Sequence, residues 1–359
     1  MSAISIFVLV FSLLGALDFL LGNKIGIGEE FKRAFSLFCP MALSMLGMLV
    51  IAPALGVWLH PVFDGFYKLF GIDPSIIPAA LFANDMGGMT LSQSVAVSKE
   101  IGDFNAFIVS SMMGCVISFT IPFSLGMVKK EQHRELFFGL ICGISTVPVG
   151  CIVGGLMCGI GFFELLLCML PLLILSVGIG VALVLAPGGC IKVFRAFGAV
   201  MKWLGIAGLL ISIFTFLTKI EISPHFDTFE NGAFICANAC VTLSGMLPAM
   251  FIISRLLDKP LNRFGRMLGV NGVSALAFLG SMVTNASSFG VMDKMDKKGV
   301  VLNSAFAVSA SFVFGSHLAF TMVYDQGYIL PMIVGKIVSG ICAVALAYFI
   351  YKEKTPEAA

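Results

Sequence analysis

The composition of the chain excludes a soluble globular protein. Its 359 residues are 58% hydrophobic and only 12% charged, whereas soluble domains carry about 25% charged residues, and its mean hydropathy is +1.02. The net charge of +2 gives no indication of a nucleic-acid partner. We therefore predict an all-α, polytopic membrane protein in contact with the lipid bilayer.

About nine apolar stretches are long enough to cross a bilayer, which takes about 20 apolar residues. They lie at 3–21, 36–59, 104–128, 136–158, 163–185, 203–219, 231–254, 300–320 and 328–351. No basic residue precedes the first stretch, which contains Asp18, so we interpret it as a retained span rather than a cleaved signal peptide. Two further apolar stretches, 75–98 and 270–292, are each broken by polar residues and glycine.

Basic residues predict how these stretches are oriented. They cluster in the connections 24–33, 129–134, 192–202, 255–266, 294–298 and 352–354. All of these clusters fall on one side, the cytoplasm, only if 75–98 and 270–292 are re-entrant hairpins. We therefore expect about nine spans plus two hairpins, with the N-terminus outside and the C-terminus inside. The first hairpin would enter from outside and the second from the cytoplasm.

Short matches at a nearly constant spacing indicate an internal repeat. In chain order, Gly47-Met48-Leu49 matches Gly245-Met246-Leu247 and Gly71 matches Gly269 at an offset of 198, 106–110 matches 305–309 at 199, and 150–155 echoes 335–340 at 185. We predict two inverted repeats, at 1–160 and 200–351, a linker span and cytoplasmic loop at 161–199, and a cytoplasmic tail at 352–359. Inverted repeats with broken helices are typical of secondary transporters, which bind substrate at the breaks.

The polar residues at the two breaks form the candidate binding site. Asp85 lies in Asn84-Asp85-Met86-Gly87-Gly88, and a carboxylate at membrane depth is costly enough to indicate a use. The alternative is a short exposed loop in which Asp85 only caps a helix. Exposed carbonyl groups beside an ionised aspartate favour a small cation. The candidate ligands are Asp85, Asn84 and Gln93 at the first break, and Thr284, Asn285 and Ser287 at the second.

His317 is a further candidate because it lies in the predicted span 300–320, where an imidazole should face the bundle interior. A histidine at the outer interface is the alternative. Lys336 is also unusual within a span, where it either snorkels or pairs with a carboxylate. The sequence contains no HExxH, P-loop or GxSxG motif. We therefore predict that the protein is not an enzyme and binds neither a metal nor a cofactor.

Five motifs together carry a family resemblance. They are Asp85-Met86-Gly87-Gly88, Met112-Met113-Gly114, 147–155, 303–310 and 331–336. This combination resembles the ethanolamine-utilisation permease family of bacteria, EutH, from about Gly15 to Tyr351. The resemblance implies uptake of ethanolamine across the bacterial inner membrane, by facilitated diffusion, for its breakdown in a microcompartment.

Two positions depart from the family pattern. The family has an acid before the histidine, where this chain has Ser316, and Asn-Asn-Ile-Pro at the second break, where this chain has Thr284-Asn285-Ala286-Ser287. If the family's acid binds an ammonium group, more of that role falls on Asp85 here.

The residue pattern and the resemblance agree on a substrate. Ethanolamine at neutral pH is mostly a small primary ammonium with one hydroxyl group. We expect Asp85 to be its counter-ion and the polar side chains at both breaks to bind its other protons or its hydroxyl. Alternating access by movement of the hairpins rests on fold-level analogy. The alternative is an ion-coupled symporter of another small solute, such as a nucleoside or amino acid. The sequence leaves open whether the chain forms a homo-oligomer.

Overall fold

The structure is a computed structural model that describes residues 3–352, and its regular elements over that range are all helices. The helices are α1 (Ala3–Leu20), α2 (Ile27–Phe70), α3 (Ile76–Leu81), α4 (Gly88–Val95), α5 (Lys99–Met127), α6 (Lys130–Met157), α7 (Phe162–Leu185), α8 (Pro187–Thr218), α9 (Phe229–Leu268), α10 (Gly272–Val283), α11 (Asn285–Phe289), α12 (Lys297–Ala310), α13 (Ser316–Tyr324) and α14 (Gln326–Ile350). The predicted cytoplasmic tail, 352–359, lies outside the described residues apart from Lys352.

Within the described range, 8 helices are long and apolar enough to cross a membrane: α1, α2, α5, α6, α7, α8, α9 and α14. The predicted fold class, an all-α polytopic membrane protein, is confirmed. Helix α5 is almost entirely buried and lies at the centre of the bundle, whereas α1, α7 and α8 leave most of their apolar side chains exposed. Those exposed faces suit contact with lipid.

Two predicted segments differ from the structure. The stretch 300–320 is not one helix, because α12 ends at Ala310 and α13 begins only at Ser316. Neither piece alone approaches the 20 residues that a span requires. The predicted loop before residue 200 is instead the beginning of α8. Pro187 is tolerated there because the first turn of a helix needs no backbone donor.

Helices from the two predicted repeats pack closely at matched glycines. A Cβ on Gly47 of α2 would overlap the carbonyl oxygen of Gly205 of α8, and a Cβ on Gly245 of α9 would overlap that of Val8 of α1. Each glycine therefore lets a helix of the other predicted repeat approach its backbone. The two glycines are the pair that matches at an offset of 198.

Helices α6 and α14 cross in the same way. Gly150 and Gly335 lie so close that a Cβ on either would press on the other's carbonyl oxygen. Beside them, Ser339 Oγ donates to the Thr146 carbonyl oxygen at 3.0 Å, and Thr146 Oγ1 donates to the Ser339 carbonyl oxygen at 3.2 Å. The matched stretches 150–155 and 335–340 are thus in direct contact.

The two ends of each broken stretch are tied together by hydrogen bonds. In the first, Asp73 Oδ2 accepts from the backbone N–H of Val97 at 3.0 Å and of Ser98 at 2.9 Å. In the second, the backbone N–H of Asn271 donates to Asp296 Oδ1 at 2.9 Å. The chain therefore enters and leaves each stretch at one place, as a re-entrant hairpin requires.

Two pairs of residues that lie 198 positions apart make corresponding hydrogen bonds in these hairpins. Ser98 and Asp296 accept from the backbone N–H three residues on, at the starts of α5 and α12. Asn105 Nδ2 donates to Ser75 Oγ at 2.8 Å, and Asn303 Nδ2 donates to the Ser274 carbonyl oxygen at 2.9 Å. These contacts favour the predicted repeat. Its inverted orientation in a membrane and the domain limits stay predictions.

Candidate functional site

The first helix break lies between α3 and α4. The backbone is extended at Phe82 and Ala83, makes one 3₁₀ turn over Asn84–Met86 and resumes as α4 at Gly88. Gly87 has φ +83°, a conformation that residues with a side chain rarely adopt. A Cβ on Gly88 would overlap the carbonyl oxygen of Phe82. Both glycines are therefore needed to place Asp85 at this turn.

The second break lies between α10 and α11. Thr284 is extended, with φ −156° and ψ 138°, and Asn285 beside it is fully buried. Asn285 Nδ2 donates to Thr120 Oγ1 of α5 at 3.0 Å, and Asn285 Oδ1 accepts from the hydroxyl of Ser311. Asn285 thus ties the second break to α5 and to the segment that follows α12.

That segment, 311–315, is a third break. The backbone N–H of Phe312 donates to the Ser281 carbonyl oxygen at 3.2 Å, and that of Phe314 donates to the Met282 carbonyl oxygen at 2.9 Å. Phe312 has φ +58°, which marks local strain in a residue other than glycine. The break places Ser316 and His317 in the first turn of α13.

A cavity of about 310 Å³ lies where the three breaks meet, a size that suits a small-molecule site. The breaks contribute Asp85, Met86, Thr284, Ala286, Phe312, Ser316 and His317, and the surrounding helices contribute Arg33, Leu37, Met41, Ser44, Met45, Cys115, Phe119, Leu243, Leu247 and Val283. Discontinuous helices around a central pocket are the usual construction of a transporter substrate site.

Asp85 is the only acidic residue among the described residues that line this cavity. It is 5% exposed, and its Oδ2 accepts a hydrogen bond from Ser316 Oγ at 2.7 Å. Within the described range, no lysine, arginine or histidine nitrogen lies within ion-pairing distance of its carboxylate. A buried carboxylate beside a cavity and without a cationic partner is suited to binding a cation.

His317 lies in the bundle interior, with 1% of its surface exposed. Its Nδ1 lies 3.1 Å from the Nζ of Lys336 on α14. Lys336 Nζ also donates to the carbonyl oxygen of Ser111, which belongs to the π-helical part of α5. Lys336 therefore neither snorkels to the membrane surface nor pairs with a carboxylate in the described structure.

The predicted site residues separate into three groups. Asp85, Thr284 and His317 line the cavity. Asn84 and Asn285 are fully buried and do not line it. The Oδ1 of Asn84 accepts from the backbone N–H of Asp85 at 2.9 Å, while its Nδ2 has no partner among the described residues.

Gln93 and Ser287 lie outside the cavity. Gln93 is on α4, and its Nε2 donates to Asp103 Oδ1 at 2.7 Å. Ser287 lines a neighbouring cavity of about 480 Å³. The sequence predicts both near the breaks, but neither lines the cavity at Asp85.

The neighbouring cavity, here termed the vestibule, shares Arg33, Leu247 and Val283 with the cavity at Asp85. Its charged lining residues are Glu30, Arg33, Arg255 and Asp258. The arginines belong to two of the basic clusters that predict the cytoplasmic side. The vestibule therefore lies beside the surface that is predicted to face the cytoplasm.

Sequence reasoning missed several lining residues. The span predicted for 300–320 includes Phe312 and Ser316, although Gly315 and the nearby serines indicate a possible break there. Cys115 and Phe119 lie in apolar sequence and gave no signal at all. No group of metal-binding side chains is present in residues 3–352.

Comparison with known proteins identifies related sequences. Residues 1–350 match the family described as "Ethanolamine utilisation protein, EutH". A Listeria monocytogenes protein named "Probable ethanolamine permease EutH" is 37% identical over 340 residues, which cover 95% of this chain and 91% of that protein. The Salmonella typhimurium protein of the same name is 33% identical over 347 residues, covering 90% and 85% of the two chains. The Bacillus subtilis "Uncharacterized protein YxeR" is 34% identical over 337 residues, covering 94% and 91%. No solved structure matches the chain.

Proposed function

Since the chain belongs to the EutH family, we propose that it transports ethanolamine across the inner membrane of a bacterium and is not an enzyme. The observation that carries this proposal is Asp85, a buried carboxylate that faces a cavity and has no cationic partner among the described residues. The relatives' names point to the substrate, and the cavity offers a counter-ion for its ammonium group.

The chemistry of the cavity matches a small protonated amino alcohol. A primary ammonium group has three N–H donors and one positive charge, so it binds a carboxylate through charge-assisted hydrogen bonds. Ser316 already occupies Asp85 Oδ2 and fixes the orientation of the carboxylate. Thr284 and His317 offer polar groups for the hydroxyl of the ligand in the same cavity.

The lining of the cavity favours facilitated diffusion over ion-coupled symport. Asp85 is the one acidic side chain among the described lining residues, so a coupling cation and the substrate ammonium would compete for it. The vestibule on the predicted cytoplasmic side supports alternating access, with the cavity open toward one side at a time.

Uptake of radiolabelled ethanolamine into proteoliposomes tests the proposal. Without any imposed ion gradient, the native protein should equilibrate ethanolamine across the bilayer. Asp85→Asn keeps the shape of the side chain and removes its charge, and we expect uptake to fall by about 100-fold or more. The control, Asp293→Asn, changes a partly exposed acid that pairs with Lys129 at 3.3 Å outside the cavity and should retain near-native uptake.

Three outcomes would contradict parts of this proposal. Absence of ethanolamine uptake by the native protein would reject the substrate. Full uptake by Asp85→Asn would reject Asp85 as the counter-ion. Uptake only in the presence of a sodium or proton gradient would favour the ion-coupled symporter.

A further inference from the structure

A buried lysine lies directly behind the cavity histidine, and the proposed function gives it no role. Lys336 is 1% exposed and lies in the middle of α14. Its Nζ contacts two groups on other elements: the Ser111 carbonyl oxygen and His317 Nδ1. Burial of an ammonium group within a membrane-spanning helix is costly, so a lysine at such a position indicates a function.

The contact with Lys336 determines which nitrogen of His317 carries a proton. An ammonium group has donors and no acceptor, so the Nδ1 that faces it acts as the acceptor. A neutral imidazole whose Nδ1 accepts carries its proton on Nε2. Lys336 thus favours the tautomer in which Nε2 is a hydrogen-bond donor.

The Ser111 carbonyl oxygen strengthens this selection. Histidine Nδ1–H groups often donate to a backbone carbonyl, and such a bond would make Nε2 an acceptor. Lys336 Nζ donates to the Ser111 oxygen and also contacts Nδ1, so the ammonium competes with an Nδ1–H group for that oxygen. Removal of the ammonium would leave that carbonyl as an acceptor for Nδ1–H.

Ser316 and His317 therefore present complementary groups to the cavity. Ser316 orients the Asp85 carboxylate, which accepts hydrogen bonds. His317, the next residue, also lines the cavity, and its Nε2–H is a donor. A ligand that satisfies both groups has an ammonium at one end and a hydrogen-bond acceptor, such as a hydroxyl oxygen, at the other.

We propose that His317 selects hydroxylated amines over simple alkylamines, and that Lys336 is a positioning residue that holds His317 in the Nε2–H tautomer. This inference rests on the proposed function, in which the ammonium group of the ligand binds Asp85. An amine without a hydroxyl group offers no acceptor to the Nε2–H. Sites built to hydrogen-bond a hydroxyl reject analogues that lack it for this reason.

Competition between two amines of equal size tests the selection. Ethanolamine and n-propylamine differ only in a hydroxyl or a methyl at the far end from the amine. The measured quantity is the concentration of each that halves uptake of radiolabelled ethanolamine into proteoliposomes. We expect the native protein to prefer ethanolamine about tenfold or more, and His317→Phe and Lys336→Met to bring the ratio near one. Matched controls, His225→Phe and Lys129→Met, change exposed residues and should keep the native ratio.

The tautomer of His317 tests the positioning role of Lys336 directly, because loss of a purely structural lysine would leave the tautomer unchanged. The chain has only 4 histidines, so ¹⁵N nuclear magnetic resonance of the labelled rings in proteoliposomes is feasible, and the signal lost in His317→Phe identifies His317. The native protein should show the Nε2–H form, and Lys336→Met should show the Nδ1–H form.

The outcomes separate this inference from the proposed function. A native protein that takes up ethanolamine, combined with an unchanged preference in His317→Phe, overturns the selection while the proposed function stands. An Nδ1–H or doubly protonated ring in the native protein overturns the positioning role of Lys336, even if Lys336→Met does not fold. Absence of native ethanolamine uptake overturns the proposed function itself and the selection with it.

Discussion

Ser316 Oγ donates a hydrogen bond of 2.7 Å to Asp85 Oδ2, although the two residues are 231 positions apart in the chain. Asp85 lies at the first helix break, and Ser316 begins the helix that follows the third. The family resemblance places an acid where this chain has Ser316. Serine therefore supplies a donor to Asp85 where a second carboxylate would repel it.

Removal of this hydrogen bond should weaken ethanolamine binding. We expect Ser316→Ala to raise the concentration for half-maximal uptake roughly 10- to 100-fold, because hydrogen bonds to charged groups contribute about 1.5–3 kcal/mol. The matched control is Ser145→Ala on α6, whose hydroxyl is exposed and bonds only to its own helix. If Ser316→Ala and the native protein reach half-maximal uptake at the same ethanolamine concentration, Ser316 does not orient Asp85.

The hydrogen bonds of Asp73, which join the two ends of the first hairpin, should stabilise the folded protein. Asp73 accepts from the backbone N–H and hydroxyl of Ser75 and from the N–H groups of Val97 and Ser98. We expect Asp73→Ala to lower the free energy of unfolding by about 3 kcal/mol or more, measured as a fall in the Tm of the detergent-solubilised protein. Asp64→Ala removes an exposed acid on α2 and should shift the Tm little. Equal shifts in both variants would contradict the role of Asp73.

Substitution of glycine by alanine should have opposite effects on stability at two positions of α2. At Gly47, an added Cβ would overlap the Gly205 carbonyl oxygen, whereas at Gly65 it would meet nothing within 4 Å. We expect Gly47→Ala to destabilise the protein by about 1–3 kcal/mol and Gly65→Ala to stabilise it by about 0.5–1 kcal/mol. Thermal unfolding of both variants in the same detergent is the measurement, and a stable Gly47→Ala would show that α2 and α8 are farther apart.

Chemical labelling should reveal the side from which the vestibule is reached. Ser287 lines the vestibule, on the side that the basic clusters predict to be cytoplasmic. We expect a membrane-impermeant maleimide to label Ser287→Cys, above the level of the native chain, in inside-out but not in right-side-out vesicles. His225→Cys, in a connection predicted to lie outside, is the control and should show the reverse. Labelling of both variants from the same side would contradict the predicted orientation.

Much of the fold follows from local properties of the sequence. Long apolar stretches predict spans because each residue in a bilayer contributes to the cost or gain of insertion. The break at Asn84–Gly88 was predictable because two glycines and a carboxylate disfavour a continuous apolar helix. The break at 311–315 is only weakly indicated, because Phe312, Val313 and Phe314 have the same hydropathy as a span and only Ser311 and Gly315 flank them.

The candidate site was only partly predictable for a different reason. Asp85, Thr284 and His317 were identified because polar side chains in apolar sequence are costly, and they line the cavity. Gln93 was identified by the same signal and bonds to Asp103 instead. Hydropathy measures how unusual a residue is at its position and contains no information about the direction of its side chain.

The sequence by itself determined that the chain is a helical membrane protein, where two of its helices break, and that a buried carboxylate lies at one break. These properties depend on the solvation of each residue and its near neighbours, which the order of amino acids specifies directly. Only the tertiary structure decided that Ser316 binds Asp85 and that Lys336 lies against His317. The first contact joins residues 231 positions apart, and the second joins two different helices. Both depend on how the helices pack, which close approaches such as that of Gly150 and Gly335 help to define.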